Sequence, residues 1–187
     1  MKKIAIFASG EGTNAQNIID YFKSSTTIKV ALVVSNKPLA NVINRAKQAG
    51  IVTLLINRDS FYESEQTIQH LKSEHIDLIV LAGFLWMMPK NLVNAFPNKI
   101  INIHPALLPK FGGKGMYGMH VHMAVVQAKE KESGISIHYV NEHYDEGKII
   151  SQHACIISEL DTPEMVAKKI HQLENEFFPK AIEKILQ

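Results

Sequence analysis

Short apolar, β-branched runs alternate with helix-periodic stretches through the first half of the chain, and this alternation constrains the fold most. Ile4 to Ala8, Val30 to Ser35, Val52 to Ile56 and Leu78 to Leu81 read as strands. Asn14 to Phe22, Asn41 to Ala49 and Phe61 to His75 read as helices, the second stopped by Gly50 and the third opened by Ser60 with Glu63 in capping-box spacing. Repetition of strand and helix is the sequence form of a mostly parallel sheet with helices on both faces, and near-continuous apolar strands predict burial on both faces. With 187 residues and 46% hydrophobic composition, one domain with a sizeable core is expected.

The second half changes character. Ile100 to Ile103 is a strand, followed by a glycine-rich loop, a short helix from about Val121 to Lys129, and a strand over Ile135 to Val140. A turn at Asn141 to Gly147 leads back into Ile149 to Ile157, which predicts an antiparallel portion at the C-terminal side of the sheet. Thr162-Pro163-Glu164 starts a last helix, and Pro179 is expected to bend or split it.

Charge and cysteine content exclude several classes. A net charge of +2 without a Lys/Arg cluster argues against nucleic acid. The single Cys155 rules out an intramolecular disulfide. Met1-Lys2-Lys3 leads into only a short apolar segment, unlike a signal peptide or a membrane span. The cytoplasm is the expected location, with no membrane partner.

Four stretches carry chemistry. In Asn102-Ile103-His104-Pro105 an amide and an imidazole two residues apart face the same side of a strand, as in an acyl-transfer site. Both groups can donate to an oxygen gaining negative charge, and the ring can also move a proton. The turn Ser9-Gly10-Glu11-Gly12-Thr13-Asn14-Ala15 lets backbone N–H groups approach a ligand at a helix N-terminus, which suits phosphate. Read as Gly-x-Gly-x-x-Ala it also fits a dinucleotide fingerprint, but Val33-Val34-Ser35-Asn36-Lys37 offers no acid for a ribose hydroxyl, which disfavours NAD. Phe84, Leu85, Trp86, Met87 and Met88 either wall a flat aromatic ligand at a strand end or begin a core helix. In the acidic turn Asn141 to Gly147, Asp145 would raise the pKa of His104 if it reached the ring. Acidic turn residues are more often solvated.

Taken together, Asn102-Ile103-His104-Pro105-Ala106-Leu107-Leu108-Pro109, Asp145 in a turn before a strand, and Ser9-Gly10-Glu11-Gly12-Thr13-Asn14 resemble the folate-dependent formyltransferase family, and within it the phosphoribosylglycinamide formyltransferases. The resemblance runs the whole chain. It implies a single-domain Rossmann-like three-layer α/β sandwich, with a phosphate-binding half over about 1–98 and a catalytic half over about 99–187. It further implies transfer of the formyl group of 10-formyltetrahydrofolate to the amine of phosphoribosylglycinamide in purine biosynthesis, with neither metal nor covalent enzyme intermediate, by a monomer or homodimer. Carried over by position, Asn102, His104 and Asp145 are catalytic, with protonated His104 and Asn102 stabilising the oxyanion. Gly12, Thr13 and Asn14 form the substrate phosphate loop, and Glu174 is a substrate-binding acid. Leu85, Trp86, Met87 and Met88, together with Asn102, contact the folate.

Ala106 stands where relatives commonly have serine, and the loop Phe111 to Met119 is longer than in many of them. The basic residue that relatives use against the phosphate has no clear counterpart, Arg58 being a candidate. Other readings compete: a deformylase that passes the formyl group to water, or a formyltransferase acting on methionyl-tRNA or an amino-sugar nucleotide, although such relatives generally carry additional domains and this chain ends at Gln187. An NADP-type oxidoreductase leaves Asn102-x-His104 unexplained, and a non-catalytic binding module requires those residues to be structural. His120-x-His122 with His104 or Asp145 raises a zinc hydrolase, without an HExxH or a cysteine cluster to support it. His138, His153 and Cys155 read as packing or surface residues of strands.

Overall fold

A computed structural model describes all 187 residues. Seven strands form one sheet in the order β3-β2-β1-β4-β5-β6-β7. These are β1 (Lys2–Phe7), β2 (Ile28–Ser35), β3 (Val52–Leu55), β4 (Leu78–Leu81), β5 (Ile100–His104), β6 (Glu132–Tyr139) and β7 (Ile149–Ile156). The first five run parallel, and β6 and β7 are antiparallel. Six α-helices cover the sheet: α1 (Thr13–Phe22), α2 (Asn41–Gln48), α3 (Gln66–Ser73), α4 (Lys90–Ala95), α5 (Met119–Gln127) and α6 (Pro163–Leu186).

The two faces separate by strand periodicity. On β1, Ile4, Ile6 and Ala8 enter a core of 27 residues, which includes residues of α1, α5 and α6, while Ala5 and Phe7 enter one of 15, which includes residues of α3 and α4. β4 divides the same way, with Leu78 and Val80 on one side and Ile79 and Leu81 on the other. The chain builds outward from β1 to β2 and β3, then returns to place β4 on the opposite side of β1. Strand order thus reverses between β1 and β4, and a crevice opens beyond their carboxyl ends.

Four local expectations needed correction. β3 is an edge strand with Val52 and Leu55 more than half exposed, so burial on both faces does not extend to it. The helix expected over Phe61 to His75 is broken: a π-helical turn over Asp59–Glu63 is followed by extended Ser64 and then α3. Ser60 does not open it as a cap. Asn57 Oδ1 accepts the Ser60 N–H at 2.8 Å and Ser60 Oγ accepts the Asn57 N–H at 3.0 Å, which places the reciprocal capping pair three residues earlier. Pro179 does not split α6, which runs unbroken from Pro163 to Leu186 with Pro179 buried. The Asn175 carbonyl, which a proline four residues on leaves without its helical donor, accepts Asn17 Nδ2 at 2.9 Å. α4 was not foreseen, being six residues long and too short to show a period.

Candidate active site

A cleft of about 750 Å³ lies across the carboxyl ends of β1, β4 and β5 and collects the residues that the resemblance marks as catalytic or binding: Gly12, Thr13, Asn14, Leu85, Trp86, Met87, Met88, Asn102, His104, Asp145 and Glu174. Ser9 fixes its floor. This buried hydroxyl donates to Asn36 Oδ1 at 2.7 Å and accepts the Leu85 N–H at 2.9 Å, while the Ser9 N–H donates to Gly83 O at 3.0 Å, so the loops after β1, β2 and β4 are tied at one point.

At one end the turn after β1 delivers the chain into α1 through Gly12, which adopts a left-handed conformation with φ 72°. A Cβ there would come within 2.6 Å of the Val42 side chain and 2.9 Å of its Cα, so both backbone angle and space require glycine. The N–H groups of Thr13, Asn14 and Ala15 have no protein partner, and α1 has no side-chain cap. Three free donors at the positive end of a helix form a site for an anion. Gly12→Ala is expected to lower the melting temperature by several degrees, corresponding to about 1–3 kcal/mol of overpacking and backbone strain, and to weaken phosphate-ester binding. Differential scanning calorimetry and a titration with a phosphate ester check both effects.

At the other end, the loop after β4 is a loop and not the start of a helix. Met88 is buried in the smaller core, whereas Leu85 and Met87 are about two-fifths exposed toward the cleft. Phe84 packs edge-on against Phe7 and Phe61, and Trp86 packs against Phe61 and Tyr62. The Trp86 N–H and the Leu85 carbonyl have no protein partners. An apolar wall with free backbone donors and acceptors suits a flat heteroaromatic ring. Arg58 stacks over the Trp86 and Tyr62 rings and lines a separate small depression, so the cations lining the cleft itself are Lys37 and Lys114.

The polar centre lies between these ends. Asn102 and His104 share the β5 face opposite to that of Ile101 and Ile103, and the antiparallel β5–β6 register sets His138 directly across from Asn102. His138 Nδ1 donates to Tyr139 O at 2.9 Å, which leaves Nε2 to accept an Asn102 Nδ2–H at 3.1 Å. His138 is therefore part of the centre and not merely packing, and it fixes which way the Asn102 amide faces. Asp145 arrives in the turn between β6 and β7, itself left-handed at φ 56°. Gly147 closes that turn so tightly that a Cβ would lie 1.7 Å from Tyr139 O. Asp145 accepts the Gly113 N–H at 3.0 Å and Asn102 Nδ2 at 3.4 Å, and its carboxylate lies 3.6 Å from both His104 Nδ1 and His138 Nε2. His104 Nε2 donates to Phe111 O at 2.8 Å, so Nδ1 is the nitrogen turned toward Asp145.

Burial and the Asp145 charge act on the His104 ring in opposite directions. Burial pushes the His104 imidazole below its ordinary range, and the opposing pull of Asp145 and the Phe111 carbonyl recovers only part of that shift. The net direction favours the uncharged ring. Burial pushes the Asp145 carboxyl up, but the His138 and His104 rings and the Gly113 N–H outweigh it and hold the group below the usual carboxylate range. The centre thus combines an ionised carboxylate, a neutral imidazole and an oriented amide, a set able to accept a proton and to stabilise an oxyanion.

The sequence matches the family model described as formyl transferase over residues 2–182. The chain belongs to the formyl transferase family. Among its relatives, a Bacillus subtilis phosphoribosylglycinamide formyltransferase is 38% identical, the match covering all of this chain and 95% of that protein. A chloroplastic phosphoribosylglycinamide formyltransferase of Arabidopsis thaliana is 38% identical over 97% of this chain, which spans 64% of that protein's length. The crystal structure of phosphoribosylglycinamide formyltransferase from Bacillus halodurans superposes with a TM-score of 0.89 at 38% identity, covering 100% of this chain and 96% of that one.

In this formyl transferase the histidine pair of the zinc alternative does not converge. His120 is exposed and packs on Tyr117, whereas His122 is buried and lines the cleft. No group of three or more His, Cys, Asp or Glu side chains is placed to hold a metal ion. No helix is long and apolar enough to cross a membrane. Besides His138, the sequence reading missed Ser9 as the knot of the loops and His171, which meets Glu174 at 2.8 Å. The i, i+3 spacing of His171 and Glu174 on a helix was the available signal.

The lowered His104 pKa is open to direct measurement. By NMR of imidazole-labelled protein, His104 is expected to titrate with a midpoint below about 6.5. Asp145→Asn removes a charge that favours the imidazolium, so it moves the midpoint lower still. A His104 midpoint above the ordinary histidine value contradicts the neutral ring.

Proposed function

We propose that this formyl transferase moves the formyl group of 10-formyltetrahydrofolate onto the amine of phosphoribosylglycinamide, giving formylglycinamide ribonucleotide and tetrahydrofolate. The observation that carries this reading is the order of features along one cleft: an anion-binding helix end, a polar centre, and an apolar wall with free backbone groups. A phosphate ester at the Gly12-Thr13-Asn14 turn points its amine toward the centre. A flat folate head against Leu85 to Met88 brings its formyl carbon to the same place. The names of the relatives agree with this pair of substrates.

The chemistry assigned to the residues then follows. The amine attacks the formyl carbon, forming a C–N bond while the carbonyl electron pair moves onto oxygen. The second Asn102 Nδ2–H, whose contact with Asp145 is long at 3.4 Å, turns to that oxyanion while His138 holds the first. His104 Nδ1 receives the proton of the attacking amine, and Asp145 stabilises the imidazolium formed. When the adduct collapses, the bond to the folate nitrogen breaks and the ring returns its proton to that nitrogen. Each proton removed is delivered, and the enzyme ends unchanged. His104 acts here as a base that becomes charged during the reaction, rather than as a donor charged beforehand.

The test supplies purified protein with 10-formyltetrahydrofolate, with and without phosphoribosylglycinamide, and follows tetrahydrofolate release. Release that depends on the acceptor supports the assignment. Equal release without it identifies a deformylase, and no release in either case, with tight NADP(H) binding, identifies an oxidoreductase.

A further inference from the structure

A backbone anion site is weakened by any carbonyl oxygen that faces the ligand, so the turn after β1 has to turn its acceptors away as well as present its donors. Three carbonyls lie in it. Gly10 O accepts the Val42 N–H at 3.1 Å and Gly12 O accepts the Gln16 N–H at 2.8 Å, both from helix backbones. Glu11 O is held by a side chain instead, accepting Arg45 Nε at 2.8 Å from α2. The N–H groups from Gly10 to Ala15 have no protein partner. Glu11 also brings a carboxylate to the cleft wall, and Asn41 Nδ2, again on α2, binds its Oε2 at 3.1 Å.

We propose that Arg45 is a positioning residue for the phosphate end of the cleft: by holding the Glu11 carbonyl against α2, it keeps the N–H groups of the turn directed at a phosphate ester. This rests on the phosphoribosyl reading of that turn. The link is peptide geometry, because the Glu11 carbonyl and the Gly12 N–H belong to one planar trans unit and point in opposite directions. Fixing one fixes the other. Gly12, left-handed at φ 72°, has no Cβ to resist a flip of that unit, and a flip would put the Glu11 carbonyl where the N–H now stands. The restraint therefore has to come from outside the turn. Arg45 itself does not line the cleft, so it acts on the ligand only through the backbone it holds.

Arg45→Ala is expected to raise the KM for the phosphoribosyl substrate about three- to tenfold, the cost of one charge-assisted hydrogen bond at a partly exposed site. The kcat and the KM of the formyl donor change by less than about twofold. Arg45→Gln carries an amide nitrogen the same number of bonds from Cα as Arg Nε, so it restores most of the affinity although the charge is gone. Independently of turnover, calorimetry measures binding of ribose 5-phosphate and of inorganic phosphate. Both bind the unsubstituted protein and Arg45→Gln, and both bind Arg45→Ala more weakly. Weakened binding of this kind in a protein that transfers no formyl group leaves the role of Arg45 standing and the assigned reaction fallen. Equal losses in Arg45→Gln and Arg45→Ala would assign the effect to charge rather than to the held carbonyl, and overturn the role. Unchanged binding in Arg45→Ala, or equal damage to kcat and both KM values, overturns it as well.

Discussion

Asn102→Ala lowers turnover by about 10²–10³-fold while the protein stays folded, the loss typical when one oxyanion donor is removed. The fold tolerates the change because the Asn102 side chain sits at the cleft rather than in the core: its neighbours Ile101 and Ile103 fill the larger core, and β5 keeps its backbone pairing to β4 and β6. What disappears is the donor aimed between His138 Nε2 and Asp145 Oδ1. Steady-state kcat with a thermal melt separates the two effects. A loss of less than about threefold in a well-folded variant would show that the formyl oxygen is held elsewhere.

His104→Ala is expected to cost about 10²–10⁴-fold in turnover, the range for a positioned acid-base group. Two consequences distinguish it from Asn102→Ala. The Phe111 carbonyl loses its donor, so the glycine-rich loop that starts there is freed at one anchor, while Gly113 stays tied to Asp145. Asp145 also loses one of the groups that hold its pKa down, so its carboxyl titrates higher in the variant. Added imidazole should restore part of the rate of His104→Ala and none of that of Asn102→Ala, because only the former lacks a proton acceptor. Restoration of both, or of neither, speaks against the division of roles.

Much of this centre was legible before any coordinates, for a simple reason. Residues two apart on a strand share a face, so Asn102 and His104 announce a common site from their spacing alone. The glycine turn after the first strand was equally readable, because φ 72° at Gly12 and the close approach of Val42 admit no larger residue. His138 was not readable. Its place opposite Asn102 depends on the register of an antiparallel pair whose connection runs from the end of β5 at His104 to the start of β6 at Glu132, and no local pattern specifies that register. At His104 only half of the balance was readable, because a neighbouring carboxylate can be inferred from sequence, whereas the depth of burial that opposes it cannot. The same limit explains the helix expected to break at Pro179. The compensating donor, Asn17, lies on α1 at the far end of the chain.

The fate of the formyl carbon tests the central claim most directly. With 10-formyltetrahydrofolate labelled with ¹³C in the formyl group and with phosphoribosylglycinamide present, the account predicts that the label moves to the acceptor amine in step with tetrahydrofolate release, with no labelled formate. Labelled formate as the main product would contradict it.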